Sequence, residues 1–391
     1  MAPHRFDAFV ITAPGLAPLC AAEMRAAGLV PTRVEAAGVA FEADAARLVR
    51  ANLWLRTATR VIVRLASFKA TTFRDLARLA ATVPWSETLV PGQPVALRVT
   101  CRKSKLIHSG AVAQRVGEAI TRATGAAIVK AATEAAEDSD EGDAPAGPAP
   151  QLVLVRLERD LCTISADSSG ERLHRRGYRQ AIAKAPIRET LAAGLLLAAG
   201  YDGSAPLVDP LCGSGTIAIE GALIARNLAP GLERPFACSA WGRVGAAVDA
   251  AERARARELA RPVRASIHAS DRDTGAIEAA RANAERAHVA NEMVIEARAL
   301  SDAAWVAAPT GLLATNPPYG ARVSGGRDLR DLYARLGQLA RARLGGWRVA
   351  MVSADVALER ATGLAFTERL RTGNGGIPVR FVVADVPAEG A

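Results

Sequence analysis

The sequence predicts a multidomain α/β protein: a doubly wound, mostly parallel sheet in the C-terminal half, preceded by small α+β units. Three observations carry this. The chain has 391 residues, half of them hydrophobic, more than one ordinary domain requires. From Ala185 onward, short apolar runs alternate with stretches of helical periodicity, the pattern of strand–helix crossovers. Asp209-Pro210-Leu211-Cys212-Gly213-Ser214-Gly215-Thr216 then sets a Gly-x-Gly turn between a strand and a helix, as at the first crossover of such a sheet.

The first unit covers residues 1–66. Arg5–Thr12 alternates as a strand, Leu16–Ala27 has helical spacing, and Val39–Glu42 is a short strand after Gly38. Asp44–Leu55 is a helix with Asp44 as N-cap, and Arg60–Ala66 is a further strand. No paired carboxylates and no His/Cys arrangement suggest chemistry here.

The second unit covers residues 67–166. Thr71–Ala81 is helical, and Pro94–Cys101 is a strand leading into Arg102-Lys103-Ser104-Lys105. Ser109–Thr121 is an amphipathic helix with Val112, Val116 and Ile120 on its apolar face. A basic loop ahead of a helix N-terminus suits a phosphate; a solvated loop is the other reading of the same residues. Ala131–Pro150 holds six acidic residues and no basic one, a composition expected of a disordered insertion. Leu152–Leu157 and Leu161–Asp167 form a hairpin through Glu158–Asp160. Asp167-Ser168-Ser169-Gly170 opens a linker. In His174-Arg175-Arg176-Gly177-Tyr178-Arg179 the cations around a tyrosine could face a phosphate backbone or a base, or form a solvated turn.

The third unit covers residues 167–391. Pro186–Ala199 is a helix, Pro206–Val208 the first strand, and Ile217–Arg226 the helix after the glycine turn. The turn lacks a full GxGxxG, because position 218 is Ala. The second strand, Ala265–Ala269, ends in Ser270-Asp271, and a carboxylate there can accept from both hydroxyls of a ribose. The segment Asn227–Arg264 between them reads as a helix-bearing insertion. Thr274–Ala287 is a helix, Met293–Ala297 the third strand and Gly311–Thr315 the fourth. Asp328–Leu344 is a helix, and Arg348–Ser353 and Ile377–Val383 are later strands.

The fourth strand delivers Asn316-Pro317-Pro318-Tyr319 to the carboxyl edge, where ligands of such sheets bind. Two prolines stiffen the loop and leave the Pro317 carbonyl without a competing donor. Asn offers an amide acceptor, and Tyr a flat ring on which another can stack. The set suits a planar heterocycle bearing an exocyclic amino group.

A net charge of +9, carried mostly by arginine, favours a polyanionic partner. Five scattered cysteines form no CxxC pair and no Cys/His cluster, so neither a disulfide framework nor a zinc site is indicated. No apolar run approaches the roughly 20 residues of a membrane span, and no targeting segment is evident at Met1–Phe6. A cytoplasmic protein, without metal and favoured as a monomer, is expected.

In order and spacing, Asp209–Thr216, Asp271 and Asn316–Tyr319 resemble the motifs of class I S-adenosylmethionine-dependent amino-group methyltransferases. Ala225-Arg226-Asn227-Leu228-Ala229-Pro230-Gly231-Leu232 with Arg234 and Phe236, together with Asp167–Arg179, is similar to the bacterial THUMP-domain methyltransferases, a group that includes the guanine-N2 methyltransferases of 23S ribosomal RNA. The resemblance implies a Rossmann-like seven-stranded methyltransferase sheet over 167–391. It also implies a ferredoxin-like domain over 1–66 and an RNA-holding THUMP domain over 67–166.

S-Adenosylmethionine is the implied cofactor, held by Asp209, Cys212, Gly213, Ser214, Gly215, Thr216 and Asp271. The family's adenine-binding Asp, shortly after the third strand, falls here near Ala299, so Asp302 or a backbone group takes that role. Asn316, Pro317 and Tyr319 are the implied catalytic set, and Arg102, Lys103, Lys105, Arg175, Arg176 and Tyr178 the candidate RNA contacts. The four-residue motif alone does not separate guanine N2 from adenine N6, so the same chemistry on transfer RNA or on adenine N6 in DNA stays open, with the basic N-terminal half arguing for RNA. An RNA-binding assembly factor that keeps the fold without turnover is the reading from a different class.

Overall fold

A computed structural model describes residues 5–132, 149–180, 187–303, 306–319 and 329–388. The chain divides into two compact units. One comprises the chain up to Ile11, Glu23–Leu173 and Arg234–Arg255, and the other Thr12–Ala22, His174–Glu233 and the chain from Ala256 onward.

The first unit is built on eight strands: β1 (Phe6–Thr12), β2 (Pro31–Glu35), β3 (Gly38–Ala43), β4 (Ala58–Lys69), β5 (Val95–Arg102), β6 (Ile128–Lys130), β7 (Gln151–Glu158) and β8 (Leu161–Asp167). They form one sheet in the order β2-β3-β1-β4-β8-β7-β5-β6. The two small units expected on either side of residue 66 therefore share a sheet. β4 is longer than the strand expected at Arg60–Ala66, and it pairs antiparallel with β8 from Ile62↔Asp167 to Lys69↔Leu161. Helix Ala45–Trp54 starts at Asp44, whose carboxylate accepts from the Arg47 N–H at 2.8 Å, the expected N-cap. β2 and β6 carry little sequence signal because both are short edge strands with mostly exposed residues.

Asp167-Ser168-Ser169 is not a linker but a buried polar knot. The Asn52 amide donates to Ser168 Oγ at 3.0 Å, and Ser169 Oγ donates to Asn52 Oδ1 at 2.6 Å. Ser168 Oγ donates to the Val61 carbonyl at 2.7 Å, and Asp167 pairs with Arg60. Such groups can be buried because each is hydrogen-bonded. Trp241 joins the same unit by donating from Nε1 to Gln151 Oε1 at 3.0 Å, and Arg234 donates to the Glu171 and Arg172 carbonyls. These bonds explain why part of the segment read as an insertion, Arg234–Arg255, packs with the first unit. The acidic stretch read as a disordered insertion lies outside the described residues, except for its first two and last two positions.

The second unit holds seven strands: β9 (Leu207–Asp209), β10 (Ile267–Asp271), β11 (Met293–Ala297), β12 (Leu312–Thr315), β13 (Arg348–Ser353), β14 (Thr367–Asn374) and β15 (Ile377–Asp385). Their order is β11-β10-β9-β12-β13-β15-β14; the first five run parallel, and β15 is antiparallel to both of its neighbours. This is the Rossmann-like sheet the sequence predicts. Alternate residues serve opposite faces, as the strand period of two requires. Leu312, Ala314, Ala350 and Val352 join one apolar cluster with helices Glu189–Ala198, Thr216–Ala225 and Thr274–Arg286. Leu313, Val349 and Met351 join another with helix Arg330–Arg343. Each fully buried aliphatic side chain in these layers contributes about 1.5–3 kcal/mol. Both faces are thereby covered, which leaves the carboxyl edge of the strands for a ligand.

Candidate active site

At the carboxyl end of β9, Asp209 is 1% exposed and accepts from the Leu211 N–H at 3.3 Å. Burial pushes its carboxyl up to about 7, with Thr315 opposing the rise and the charge of Asp271 adding to it. The chain then turns through Gly213 and Gly215, both in the left-handed region at φ 52° and 84°. A Cβ on Gly215 would stand 3.0 Å from the Ala280 Cβ, so the turn needs glycine for close approach as well as for its backbone angle. Helix Thr216–Ala225 follows at once and is buried along its whole length, which aims its N-terminus at the sheet edge.

Asp271, at the end of β10, binds this loop directly. Its Oδ2 accepts from the Gly213 N–H at 3.0 Å and its Oδ1 from the Asp273 N–H at 3.0 Å. Asp273 in turn caps helix Thr274–Arg286, so the acidic strand end and the glycine loop are one hydrogen-bonded assembly. Behind it, the fully buried Asn283 donates from Nδ2 to the Ser214 carbonyl at 3.1 Å. Cys212, Ser214 and Thr216 are buried side chains, and burial raises the Cys212 thiol well above its ordinary value. They shape the loop from inside rather than project from it. Asp302 is exposed in the turn Leu300–Asp302 after β11; β11 itself ends beside Asp271, with Asp271 opposite Ala297.

The Asn316–Tyr319 loop leaves β12, the strand next to β9. Asn316 Oδ1 is buried and meets no hydrogen-bond partner among the described residues. An orphaned buried acceptor is costly, about 1–3 kcal/mol, and at the carboxyl edge of the sheet it can be satisfied by a donor on a ligand. The loop is held by two residues outside the motif. Tyr333 Oη donates to the Pro318 carbonyl at 3.2 Å, and Asn374 Nδ2 donates to Tyr319 Oη at 2.8 Å. Tyr319 is 8% exposed and belongs to the apolar cluster around the sheet, and burial raises its hydroxyl pKa. The ring expected to offer a stacking face is largely covered in the fold, where it gains from burial while its hydroxyl keeps a partner.

Two of the expected RNA contacts are corrected by the structure. Arg176 and Tyr178 are 5% and 4% exposed, and both face Glu220. Tyr178 Oη donates to Glu220 Oε1 at 3.0 Å, and Arg176 Nε lies 3.4 Å from the same oxygen. A buried carboxylate needs such partners, so these residues serve the core of the second unit. Arg179 pairs likewise with Glu189, which burial pushes up to about 7, and Arg175 is half-buried. The other basic stretch lies on the surface of the first unit: Arg102, Lys103 and Lys105 are exposed ahead of helix Ser109–Thr124. Their backbone is tied to the β7–β8 turn. The Lys105 N–H donates to Asp160 Oδ1 at 2.7 Å, and the Asp160 N–H to Ser104 Oγ at 3.0 Å.

Thr315, Tyr333 and Asn374 were not legible as site residues. Asn374 precedes Gly375-Gly376 and reads as an ordinary turn residue, while Tyr333 reads as helix core. Asn283 carried one usable signal, a lone amide on the apolar face that Ala280 and Ala284 define.

A glycine loop, an acidic strand end and an amide-bearing loop, gathered on one edge of a sheet ordered in this way, define a Rossmann-like methyltransferase. The chain belongs to the UPF0020 family, RMKL-like methyltransferase domain, whose model matches residues 176–381, and residues 7–62 match the RlmL ferredoxin-like domain. It is 33% identical to the putative RNA methyltransferase slr0064 of Synechocystis over 95% of this chain and 94% of the relative. It is 35% identical to ribosomal RNA large subunit methyltransferase K/L of Syntrophotalea carbinolica, matching 97% of this chain but 53% of the relative; the chain spans about half the length of that protein. Two solved structures superpose over nearly the whole chain. One is a predicted N6-adenine-specific DNA methylase from Listeria monocytogenes, with TM-score 0.83, 31% identity and coverage of 98% and 97%. The other is SMU.472, a putative methyltransferase complexed with SAH, with TM-score 0.83, 28% identity and coverage of 100% of both chains.

Proposed function

We propose that this protein transfers a methyl group from S-adenosylmethionine to the exocyclic N2 of a guanine in RNA, with large-subunit ribosomal RNA as the substrate. The observation that carries this reading is the buried, unpartnered Oδ1 of Asn316 at the carboxyl edge of the sheet. The names of the K/L and slr0064 relatives support RNA, and the SAH complex of a full-length structural neighbour supports the cofactor.

The residues fit that cofactor. Asp209 would hold its methionine end through the ammonium, and the Gly213/Gly215 loop would let the ligand approach the backbone closely. Asp271 already accepts two backbone N–H groups, but an ionised carboxylate has about four acceptor positions, which leaves two for a ribose diol. Asp302 or a backbone group beside it would meet the adenine. When bound, S-adenosylmethionine supplies an electrophilic methyl group on a sulfonium.

The chain's own contribution is orientation. The lone pair of an exocyclic amine is delocalised into its ring, which makes the nitrogen a weak nucleophile. Asn316 Oδ1 and the Pro317 carbonyl accept the two amine hydrogens and draw the lone pair out of conjugation with the ring, and the nitrogen gives up a proton once it is methylated. Preorganised acceptors of this kind act by positioning and electrostatics. Tyr319 forms the apolar wall against which the base packs once it has left its helix. Arg102, Lys103 and Lys105 hold RNA phosphates, and the region 67–166 acts as the THUMP module.

The test is single-turnover methylation of RNA by Asn316→Ala, with SAH affinity measured in parallel. The expected result is a rate lower by about 10²–10³ with cofactor affinity nearly unchanged. A rate within a few-fold of wild type would remove Asn316 from catalysis.

A further inference from the structure

Helix and strand positions outside the motifs place one further residue against the reacting loop. β13 ends at Ser353, which pairs with Arg380 of β15. The β14–β15 hairpin continues past that point to its last pair, Asn374↔Ile377, before turning at Gly375-Gly376. At roughly 3.3 Å per residue, its tip stands about 10 Å beyond the end of β13. The tip therefore rises on the carboxyl side of the sheet, where the Asn316–Tyr319 loop also lies.

Period-two alternation turns Thr372 and Asn374 to the same face, and both are buried at 7% and 8% exposure. Asn374 uses that placement to donate from Nδ2 to Tyr319 Oη across 55 residues of sequence. The bond is 2.8 Å long and has no part in closing the hairpin, which backbone pairing already closes. A buried amide that donates to the hydroxyl fixes where the far end of the ring lies, adding a directional bond to the non-directional packing around it.

We propose that Asn374 is a positioning residue that fixes the far end of the Tyr319 ring against the target base, so that the β14–β15 tip helps to hold the base productively. This rests on the methyl-transfer reading of the Asn316–Tyr319 loop. Removing the donor releases that end of the ring, and a misplacement of about 1 Å near the reacting centre costs up to about a hundredfold in rate.

The experiment measures single-turnover transfer of label from S-adenosylmethionine into total RNA of a strain lacking this protein. It compares wild type, Asn374→Leu, Tyr319→Phe and the double variant, and measures SAH affinity for each by calorimetry. Asn374→Leu is expected to slow transfer by about ten- to a hundredfold while SAH affinity stays within about twofold. The double variant is expected to be no slower than the slower single one, because both single changes break the same bond. Should Asn374→Leu fail to fold, Tyr319→Phe breaks the bond from its other end and carries the same expectation.

Transfer by Asn374→Leu within about twofold of wild type overturns the proposal, as does a fully multiplicative loss in the double variant or an equal loss of SAH affinity. Asn316→Ala in the same assay separates the two layers. If Asn316→Ala is slow and Asn374→Leu is not, the positioning role alone fails; if Asn316→Ala is not slow, the methyl-transfer reading fails with it.

Discussion

The Asn316–Tyr319 loop and the Arg102–Lys105 loop both follow a strand of a large sheet, and they are built in opposite ways. The first is mostly buried, stiffened by two prolines, and held from outside by Tyr333 and Asn374. The second presents exposed cations on a backbone tied to the β7–β8 turn. Buried groups act through fixed geometry in a low dielectric, so single atoms there decide the outcome. Exposed cations act through summed charge that salt screens, and one can stand in for another. Chemistry and substrate capture are thus expected to fail in different experiments.

The largest effect on RNA affinity is expected for the cations. Changing Arg102, Lys103 and Lys105 together to Ala should lower the slope of log affinity against log salt by about 2 for single-stranded RNA. Between about 50 and 200 mM salt, the variant then escapes a further loss of roughly twentyfold that wild type suffers. The methylation rate at saturating RNA should be unchanged. A fall in that rate with an unaltered slope would place this loop with the chemistry and dissolve the contrast.

The pH response sharpens the buried side. Asp209 has its carboxyl raised to about 7, so it is mostly neutral at pH 6 and mostly ionised at pH 8. SAH affinity should therefore rise about tenfold over that interval, and Asp209→Asn should flatten the profile. Stability of the cofactor-free protein moves the other way. A carboxyl raised in the fold contributes stability that is fully present below its unfolded value near 4 and is lost as pH climbs through about 7. Calorimetry across pH checks the first expectation, and thermal melts the second.

The effect expected to be smallest on RNA binding concerns the tyrosine displaced from the RNA contacts. Tyr178→Phe removes a bond to buried Glu220 and should cost about 1–3 kcal/mol, a shift of several degrees in melting temperature. Its salt slope for RNA should match wild type. A changed slope with an unchanged melting temperature would return Tyr178 to the surface.

The same contrast governs what the sequence could reveal. Asp209, Gly213, Gly215, Asp271 and Asn316 were legible because each follows or ends a strand whose apolar pattern locates it, and each residue type has few uses there. Six strands of the seven-strand sheet were legible as short apolar runs, whereas β14 was not, because its residues are largely exposed and several are charged. Arg176 and Tyr178 misled because a cation-rich stretch looks solvated until its partner is known, and that partner, Glu220, lies inside a helix that is otherwise apolar. The continuity of β4 with β8 was hidden because register between strands a hundred residues apart leaves no local trace. Asn374 was hidden for the same reason, since only the fold brings a turn residue to a tyrosine 55 positions away.

The central claim is that the Asn316 acceptor meets an exocyclic amine on an RNA base. Its most direct test is incubation of the protein with labelled S-adenosylmethionine and total RNA from a strain lacking it, followed by nucleoside mass spectrometry. Label is expected in N2-methylguanosine, accumulating about 10²–10³-fold more slowly when Asn316→Ala replaces the protein. Label in N6-methyladenosine, in a ribose methyl group, or in no nucleoside while SAH still binds would contradict that claim.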